Sequence, residues 1–381
     1  MSSLFKKKRV LCIFKNDLRF LSKTKTRRIL DMASEFEVFL LLPEDAYVEE
    51  KIKKKVKAIF RVPLRKKENI FYKLINFFKI IFYACKCARK EKVEIVYTPP
   101  TIVIIAGFLC KKIFQMKWVI DLYDPPISAI KRRSLEKVAY NLGSTLIKHL
   151  INTADMVAVT VIPESVSWLK VKNVIYLTNG VDLKGYMNSY KHVTSPNKNS
   201  IHIVSIETSI LNSGIEYLFK ACKILLENDL DIKVKLIGYI DGKERIKTLV
   251  KEYGLEGCIQ YMGGISSEFL PKILSDCDIG VIHLPSGPHR DETFPLKVFE
   301  YLAARLAIVS FQLDGISKIL RNGENAILVR HDDPVALAEG ILEVVNNDSL
   351  RSHIRQNALK DAKKYDWNLI NSKFMTKLGE I

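Results

Sequence analysis

Two carboxylates, Glu292 and Glu300, stand with seven residues between them in the segment of the chain that is richest in possible chemistry. Pro295 suits a first helical turn, so the sequence predicts a helix that begins near it and carries Glu300 one turn inside. The N-terminus of a helix offers unpaired amide groups and a partial positive charge. A diphosphate could therefore bind near Leu296 and Lys297, whose ammonium group would neutralise further charge.

The separation of the two acids suits the recognition of a sugar nucleotide. A carboxylate inside the helix can accept hydrogen bonds from both vicinal hydroxyls of a ribose, and one on the preceding loop can hold hydroxyls of the attached sugar. We predict that Glu300 holds the ribose and that Glu292 holds the donor sugar. The predicted donor-binding residues are Arg290, Glu292, Phe294, Pro295, Leu296, Lys297 and Glu300. Glu292 and Lys297 are also predicted to act in catalysis.

This segment resembles glycosyltransferase family 4, whose members carry a Glu-x7-Glu motif in this setting, and above all a subset that reads P-x-K-x-F-E-Y-x-A. The resemblance continues at residues 178–182, 257–274, 332–338 and 365–367. It implies the GT-B fold, an α/β architecture in which two Rossmann-like doubly wound domains face a central cleft. It also implies transfer with retention of anomeric configuration, assisted by the phosphate of the donor itself.

The resemblance is thinner in the first half of the chain. Residues 16–19, with Arg27 and Arg28, look like the D-P-R-x-x-x-x-A opening of one branch of the family. Residues 121–124 stand where that branch often has D-x-H-D/E. The cleft or acceptor-binding residues implied by the resemblance are Asp17, Arg19, Tyr123, Asp124 and Asn179.

The chain also departs from the family pattern near the donor segment. Residues 205–214 lack the Arg and Lys that are usual there, so we expect Lys297, Arg290 or the helix N-terminus to meet the charge of the diphosphate. The usual Gly and Pro after the motif helix are Arg305 and Ala307, which makes the local turn unusual.

Continuously apolar runs alternate with helical stretches in both halves, which indicates parallel sheets covered on both faces. The predicted strands are 10–14, 38–42, 94–97, 118–121, 156–159 and 174–177, then 201–205, 234–237, 259–262, 279–282, 308–309 and 326–329. A polar linker over 183–200 separates the halves. We predict an acceptor-binding domain over 1–185, completed by a helix over 366–381, and a donor-binding domain over 195–365.

The charge is divided unevenly along the chain. Residues 1–200 hold 38 Lys and Arg against 17 Asp and Glu, a net +21, and residues 201–381 hold 22 against 25, a net −3. Such a field attracts polyanions. The basic residues from Lys51 to Lys67 and the aromatic stretch from Ile70 to Ala88 could dock on an anionic membrane, or the stretch could be a buried helix. We predict that the helix lies in the core and that residues 51–67 face the membrane.

Other features of the sequence bear on the cellular compartment in which the protein works. The seven cysteines form no C-x-x-C pair, which favours a reducing compartment. The basic N-terminus lacks the long apolar stretch of a signal peptide. Lys73, Lys79 and Lys86 interrupt the most apolar helical stretch, which argues against a transmembrane helix. These patterns predict a cytoplasmic protein that is peripheral on the inner face of the cell membrane.

The function predicted is transfer of a hexose from a nucleotide diphosphate sugar to a glycan or lipid-linked acceptor, in polysaccharide biosynthesis. We expect no metal or cofactor, since the D-x-D of Asp276 and Asp278 precedes a strand and belongs elsewhere to a different fold. A nucleotide-sugar epimerase is the alternative enzyme, although no histidine precedes His149 to serve as a base in the first half. A non-catalytic polyanion or membrane binder is a third class, and no element resembles a nucleic-acid module.

Overall fold

The computed structural model describes residues 7–15, 23–65, 69–123, 134–190, 200–207, 213–238, 243–287 and 290–381. The chain divides into two compact units, each built on its own parallel sheet. Unit 1 comprises Met1–Thr178 together with Asn368–Ile381. Unit 2 comprises Asn179–Trp367.

The sheet of unit 1 has, within the described residues, seven parallel strands in the order β3-β2-β1-β4-β5-β6-β7. Their bounds are β1 Arg9–Ile13, β2 Glu37–Pro43, β3 Ala58–Val62, β4 Ile95–Thr98, β5 Lys117–Leu122, β6 Met156–Val159 and β7 Val174–Tyr176. The central strands β1, β4 and β5 are buried over nearly their whole length because helices cover both faces. The strand order reverses between β1 and β4, as in a doubly wound sheet.

The helices of unit 1 surround this sheet. They are α1 Lys23–Glu35, α2 Glu50–Lys53, α3 Ile70–Lys90, α4 Ile104–Phe114 and α5 Ser134–Ile151, with α14 Trp367–Glu380 added from the far end of the chain. Phe374 of α14 is fully buried. Its ring lies 5.0 Å from the Arg28 guanidinium carbon and 6.3 Å from the ring of Tyr97. Arg28 is itself fully buried and forms an ion pair with Asp121, which also accepts a hydrogen bond from Tyr97.

Unit 2 repeats the topology with a parallel sheet that has, over the described residues, six strands in the order β10-β9-β8-β11-β12-β13. Their bounds are β8 Ile201–Glu207, β9 Ile232–Gly238, β10 Ile259–Gly263, β11 Ile279–Ile282, β12 Ala307–Phe311 and β13 Ile327–Val329. The helices are α6 Leu183–Tyr190, α7 Ile215–Glu227, α8 Lys243–Glu252, α9 Leu270–Ser275, α10 Leu296–Ala303, α11 Asp314–Ser317, α12 Pro334–Asn346 and α13 Asp348–Ala362. The predicted α/β class with two doubly wound sheets is confirmed.

The basic segment 51–67 differs from its predicted form. Strand β3 lies inside it and pairs with β2, and Ile52 and Val62 are buried, so the segment is not one continuous surface patch. Several of its lysines are already matched by acids. Lys51 lies 2.7 Å from Glu49 and Lys53 lies 2.5 Å from Glu50. The positive charge that residues 51–65 offer a partner is therefore smaller than their composition suggests, and Lys66 and Lys67 lie outside the described residues.

Helix α3 also differs from the prediction that it lies in the core. One face, which includes Ile80, Ala84 and Ala88, is buried in the main core cluster of unit 1. The opposite face carries large apolar side chains that are exposed to solvent. None of the helices among the described residues combines the length and apolarity needed to cross a bilayer.

Candidate functional site

Helix α10 carries the second acid of the predicted motif and begins at Leu296, with Pro295 as its N-cap residue in extended conformation. Pro295 lacks an amide proton and ends the preceding loop, which sets the helix start. Its carbonyl accepts a hydrogen bond from the amide of Val298 at 3.1 Å. The helix therefore directs the amides of Leu296 and Lys297 toward whatever lies before its first turn.

Glu300 lies one turn inside α10, as the position of Pro295 predicted, and its residue is 5% exposed. Tyr186 of α6 lies close to it and is equally buried. Burial raises the pKa of Tyr186 well above its ordinary value, and the negative charge of Glu300 raises it further. The phenol of Tyr186 is therefore a protonated hydroxyl beside the carboxylate.

Lys297 takes part in a buried ion pair that the sequence did not indicate. Its Nζ atom lies 2.6 Å from Oε1 of Glu207, the last residue of β8, and both residues are buried. The same oxygen lies 3.2 Å from the Ser205 hydroxyl and 3.3 Å from Nε2 of His283. The ammonium charge of Lys297 is thus matched within the protein, in contrast to the expectation that it is available to a diphosphate.

His283 completes this network at the end of β11. Burial lowers the pKa of its imidazole, the charge of Lys297 lowers it further, and Glu207 acts in the opposite sense. We assign a neutral ring, with Nδ1 donating to the Ser213 carbonyl at 3.0 Å, and Nε2 lies 2.9 Å from the Ser205 hydroxyl. Lys297 and the histidine together hold the end of β8 against the start of α10.

The stability of unit 2 should depend on pH through His283. A neutral buried imidazole has a lowered folded-state pKa, so its contribution is present above the unfolded pKa of 6.5 and is lost as pH falls through the folded value. We expect the free energy of unfolding to fall by up to about 1.4 kcal/mol per pH unit between pH 7 and pH 5. The melting temperature should fall with it. His283→Asn should flatten this slope in a thermal melt series. His331→Asn, which alters an exposed histidine of unit 2, is the control. An unchanged slope in His283→Asn would contradict the assignment.

Tyr301 joins the motif helix to the sheet. Its hydroxyl accepts a hydrogen bond from the amide of Ile206 at 2.9 Å and lies 3.4 Å from the carbonyl oxygen of Val204. The ring crosses β11 at Gly280, where an added Cβ would lie 2.6 Å from the tyrosine ring. Glycine is therefore required at this strand position so that α10 can approach the sheet.

The loop before α10 is organised by Asp291. Its carboxylate accepts hydrogen bonds from the Ser286 hydroxyl at 3.0 Å and from the Gly287 amide at 3.1 Å. Its carbonyl accepts one from the amide of Gly315 at 2.6 Å. Asn179 donates to the carbonyl of Phe294 at 2.5 Å, so this predicted acceptor residue lies beside the donor loop within unit 2.

The structure brings most of the predicted donor residues together around the start of α10. Phe294, Lys297 and Glu300 are buried, and the side chains that are half-exposed are those of Arg290, Glu292, Pro295 and Leu296. Of the predicted acceptor residues, Tyr123 follows β5 in unit 1 and is half-buried, and Asp17, Arg19 and Asp124 lie outside the described residues. No role for Glu207, His283 or Asp291 was predicted from the sequence.

One departure from the family pattern, at Arg305, is accommodated by the local backbone. Arg305 adopts the left-handed conformation, with φ of 54°, that a glycine adopts without strain. Its carbonyl accepts a hydrogen bond from Arg355 at 3.0 Å. Asp278 of the D-x-D sequence accepts a hydrogen bond from the amide of His202, and Asp276 lies 3.8 Å from Lys235. Among the described residues, no three His, Cys, Asp or Glu side chains are grouped to hold a metal ion.

Comparison with known proteins places this site in a family. Residues 188–361, which include Glu207, His283 and α10, match the family model described as glycosyl transferases group 1. This region is similar to the group 1 glycosyl transferases. Its limits fall within unit 2, so the match covers the donor motif and the buried network together.

Individual relatives extend the comparison beyond residues 188–361. The putative colanic acid biosynthesis glycosyltransferase of Salmonella typhimurium is 25% identical over 205 residues, which are 53% of this chain and 50% of the relative. This chain therefore spans about half the length of that curated relative. The N,N'-diacetylbacillosaminyl-diphospho-undecaprenol alpha-1,3-N-acetylgalactosaminyltransferase of Campylobacter jejuni is 22% identical over 359 residues, covering 89% of this chain and 90% of the relative.

One solved structure has the same architecture over nearly the whole chain, including residues before and after 188–361. The Anabaena protein HepE in complex with UDP superposes with a TM-score of 0.75 at 15% identity, covering 98% of this chain and 100% of HepE. A likeness at this identity establishes the fold. The predicted glycosyltransferase family and GT-B fold are confirmed, whereas membership of family 4 in particular stays a prediction.

Proposed function

We propose that this protein is a hexosyltransferase. It moves a hexose from a nucleotide diphosphate sugar to a glycan or lipid-linked acceptor, with retention of configuration and without a metal ion or other cofactor. The observation that carries the proposal is the start of α10, where Glu300 lies buried one turn below a helix N-terminus and Glu292 lies on the loop before it. This arrangement offers one acid for a ribose, one for a sugar, and a helix end for the phosphates between them.

Recognition of the donor is divided among these groups. Glu300 accepts hydrogen bonds from the vicinal hydroxyls of the ribose, beside the protonated hydroxyl of Tyr186. Glu292 accepts hydrogen bonds from hydroxyls of the donor hexose. The amides of Leu296 and Lys297 bind the diphosphate, and the partial positive charge of the helix N-terminus adds to the attraction.

The departing diphosphate is stabilised mainly by the backbone and by Arg290. Since Lys297 is paired with Glu207 at 2.6 Å, its net contribution of charge at the phosphates is small. Its role is to fix the first turn of α10 against β8, so that the amides already point at the position of the leaving group. Such fixed dipoles need no reorganisation as negative charge develops.

The relatives support this class of donor and acceptor. The name of the Campylobacter jejuni enzyme specifies a sugar carried on diphospho-undecaprenol as its acceptor, and HepE was solved with UDP. The excess of basic residues in the first half of the chain suits a diphosphate-linked acceptor or the anionic membrane that holds it. We accordingly propose a cytoplasmic location with peripheral attachment to the inner face of the cell membrane, in which the basic segment 51–67 takes part.

A donor screen tests the function directly. We expect at least one member of a panel of uridine, guanosine and thymidine diphosphate sugars to raise the melting temperature of the protein. A ligand at about 100 times its Kd adds about 2.7 kcal/mol of stability, which corresponds to roughly 5–10 °C for a unit of this size. Failure of every nucleotide sugar to shift the melt would overturn the assignment of the site.

Incubation with the donor alone separates the transferase from its alternative. An epimerase converts the nucleotide sugar without any acceptor, and a transferase leaves the sugar configuration unchanged until an acceptor is added. Accumulation of an epimeric nucleotide sugar in the absence of acceptor would therefore replace the present proposal with a nucleotide-sugar epimerase.

A further inference from the structure

One face of α3 presents a continuous row of large apolar side chains to solvent. Phe71, Leu74, Phe78 and Phe82 are 61%, 51%, 64% and 62% exposed. Their spacing of three, four and four residues places them within roughly 80° of the helix circumference and over about 16 Å of its length. A contiguous exposed apolar strip of this kind marks an interaction surface. We refer to these four side chains as the α3 stripe.

The aromatic rings of the α3 stripe are braced by neighbouring rings. Phe71 packs edge to face on Tyr72 at 5.8 Å between ring centroids, Phe78 on Phe77 at 5.4 Å, and Phe82 on Tyr83 at 5.7 Å. In each pair the partner ring is half-buried against the unit. The exposed rings are therefore held in outward positions and do not fold back on the helix.

The charged residues within α3 all have the same sign. Helix α3 contains five cations, at Lys73, Lys79, Lys86, Arg89 and Lys90, and no acidic residue. Lys86, Arg89 and Lys90 are exposed near the C-terminal end of the stripe. This contrasts with segment 51–67, where acids already match several of the lysines. Lys90 lies 3.8 Å from Glu91, and α3 thus combines exposed cations with exposed apolar side chains on one helix.

We propose that the α3 stripe inserts into the interfacial region of an anionic lipid bilayer, with the flanking cations of α3 at the headgroups. Rings buried at the acyl boundary together with lysines and arginines on the flank define an interfacial helix that lies in the membrane plane. A second copy of the chain is a poorer occupant, because an isologous contact through the stripe would bring the exposed cations Lys86 and Arg89 of two α3 helices close together. The inference deepens the membrane attachment proposed above and moves its principal element from segment 51–67 to α3.

Vesicle binding by stripe variants tests the proposal. We expect the wild-type protein to co-sediment with phosphatidylcholine vesicles that contain phosphatidylglycerol, and much less with pure phosphatidylcholine vesicles. Phe78→Ser and Phe82→Ser should each lower partitioning into the anionic vesicles by roughly tenfold, from the apolar area lost. Lys86→Gln should lower it by about fivefold at low salt. Phe269→Ser, at a ring in unit 2 that is 58% exposed, is the matched control and should change nothing.

A second readout does not depend on loss of binding. Phe78→Trp should keep the affinity and become quenched by lipids brominated on their acyl chains, whereas Phe269→Trp should not be quenched. Binding that is indifferent to the stripe, or absence of quenching in Phe78→Trp, would overturn the proposal. A concentration-dependent dimer that Phe78→Ser dissolves would overturn it in favour of a second copy. The nucleotide-sugar melt shift should be the same in Phe78→Ser and wild type, so this result is independent of the donor site.

Discussion

Replacing Glu300 with glutamine is expected to lower kcat/KM for the nucleotide sugar by roughly a hundredfold, mainly through weaker donor binding. The substitution keeps the size of a side chain that is 5% exposed and removes only its charge. Hydrogen bonds to a charged acceptor contribute about 1.5–3 kcal/mol each, roughly twice the neutral value. Two such bonds from a ribose, each weakened by about half, account for a loss of about two orders of magnitude in affinity for the donor.

The measurement is a titration of donor by thermal shift, followed by initial rates of transfer. Glu244→Gln is a suitable control, since Glu244 lies on α8 of unit 2 and its side chain is 84% exposed. We expect Glu300→Gln to retain the melting temperature of the wild type without ligand and to lose most of the donor-induced shift. A normal shift in Glu300→Gln would mean that the ribose is held elsewhere.

Replacing Lys297 with methionine should destabilise unit 2 by about 3–5 kcal/mol, because it leaves the Glu207 carboxylate buried without its counter-charge. Glu207→Gln should have an effect of similar size by leaving the ammonium unpaired. For a unit of this length such a loss lowers the melting temperature by roughly 10 °C. Lys272→Met, at an exposed lysine of α9, controls for the chemistry of the substitution.

The double variant decides between a positioning role and a direct contact with phosphate. Replacing a buried ion pair by neutral groups is often close to neutral for stability, so Glu207→Gln with Lys297→Met should recover most of the loss. If Lys297 acts by positioning α10, the double variant should also recover part of its affinity for donor. Recovery of stability with no recovery of donor affinity would instead identify a direct contact between the ammonium and the diphosphate.

The pairing of Lys297 with Glu207 shows what the sequence could and could not predict at the site. Helix α10, its start beside Pro295 and the depth of Glu300 follow from local rules of helix initiation, and all were predicted. The partner of Lys297 lies 90 positions away, at the end of strand β8. An acid at the end of β8 can be recognised as the partner of Lys297 only when β8 and α10 are known to pack together. No local sequence pattern specifies that packing.

Strand β3 and helix α3 show the same limit of prediction from local sequence patterns. Central strands are recognisable as apolar runs because both of their faces are covered. Strand β3 lies at the edge of the sheet, is only half-buried over Ala58–Arg61, and sits among lysines, so its pattern was hidden. Helix α3 is apolar on both its buried face and its exposed face, and apolarity alone could not tell which side chains contact water.

The placement of α14 in unit 1 has a consequence for synthesis of the protein. Residues of unit 1 up to Thr178 leave the ribosome first, and all of Asn179–Trp367 must be made before α14 follows. At 5–20 residues a second this delay is roughly 10–40 s. During that time Arg28 and Tyr97 lack the ring of Phe374 that covers them in the folded unit. The first half of the nascent chain should therefore depend on chaperones for longer than unit 2, which is continuous in sequence.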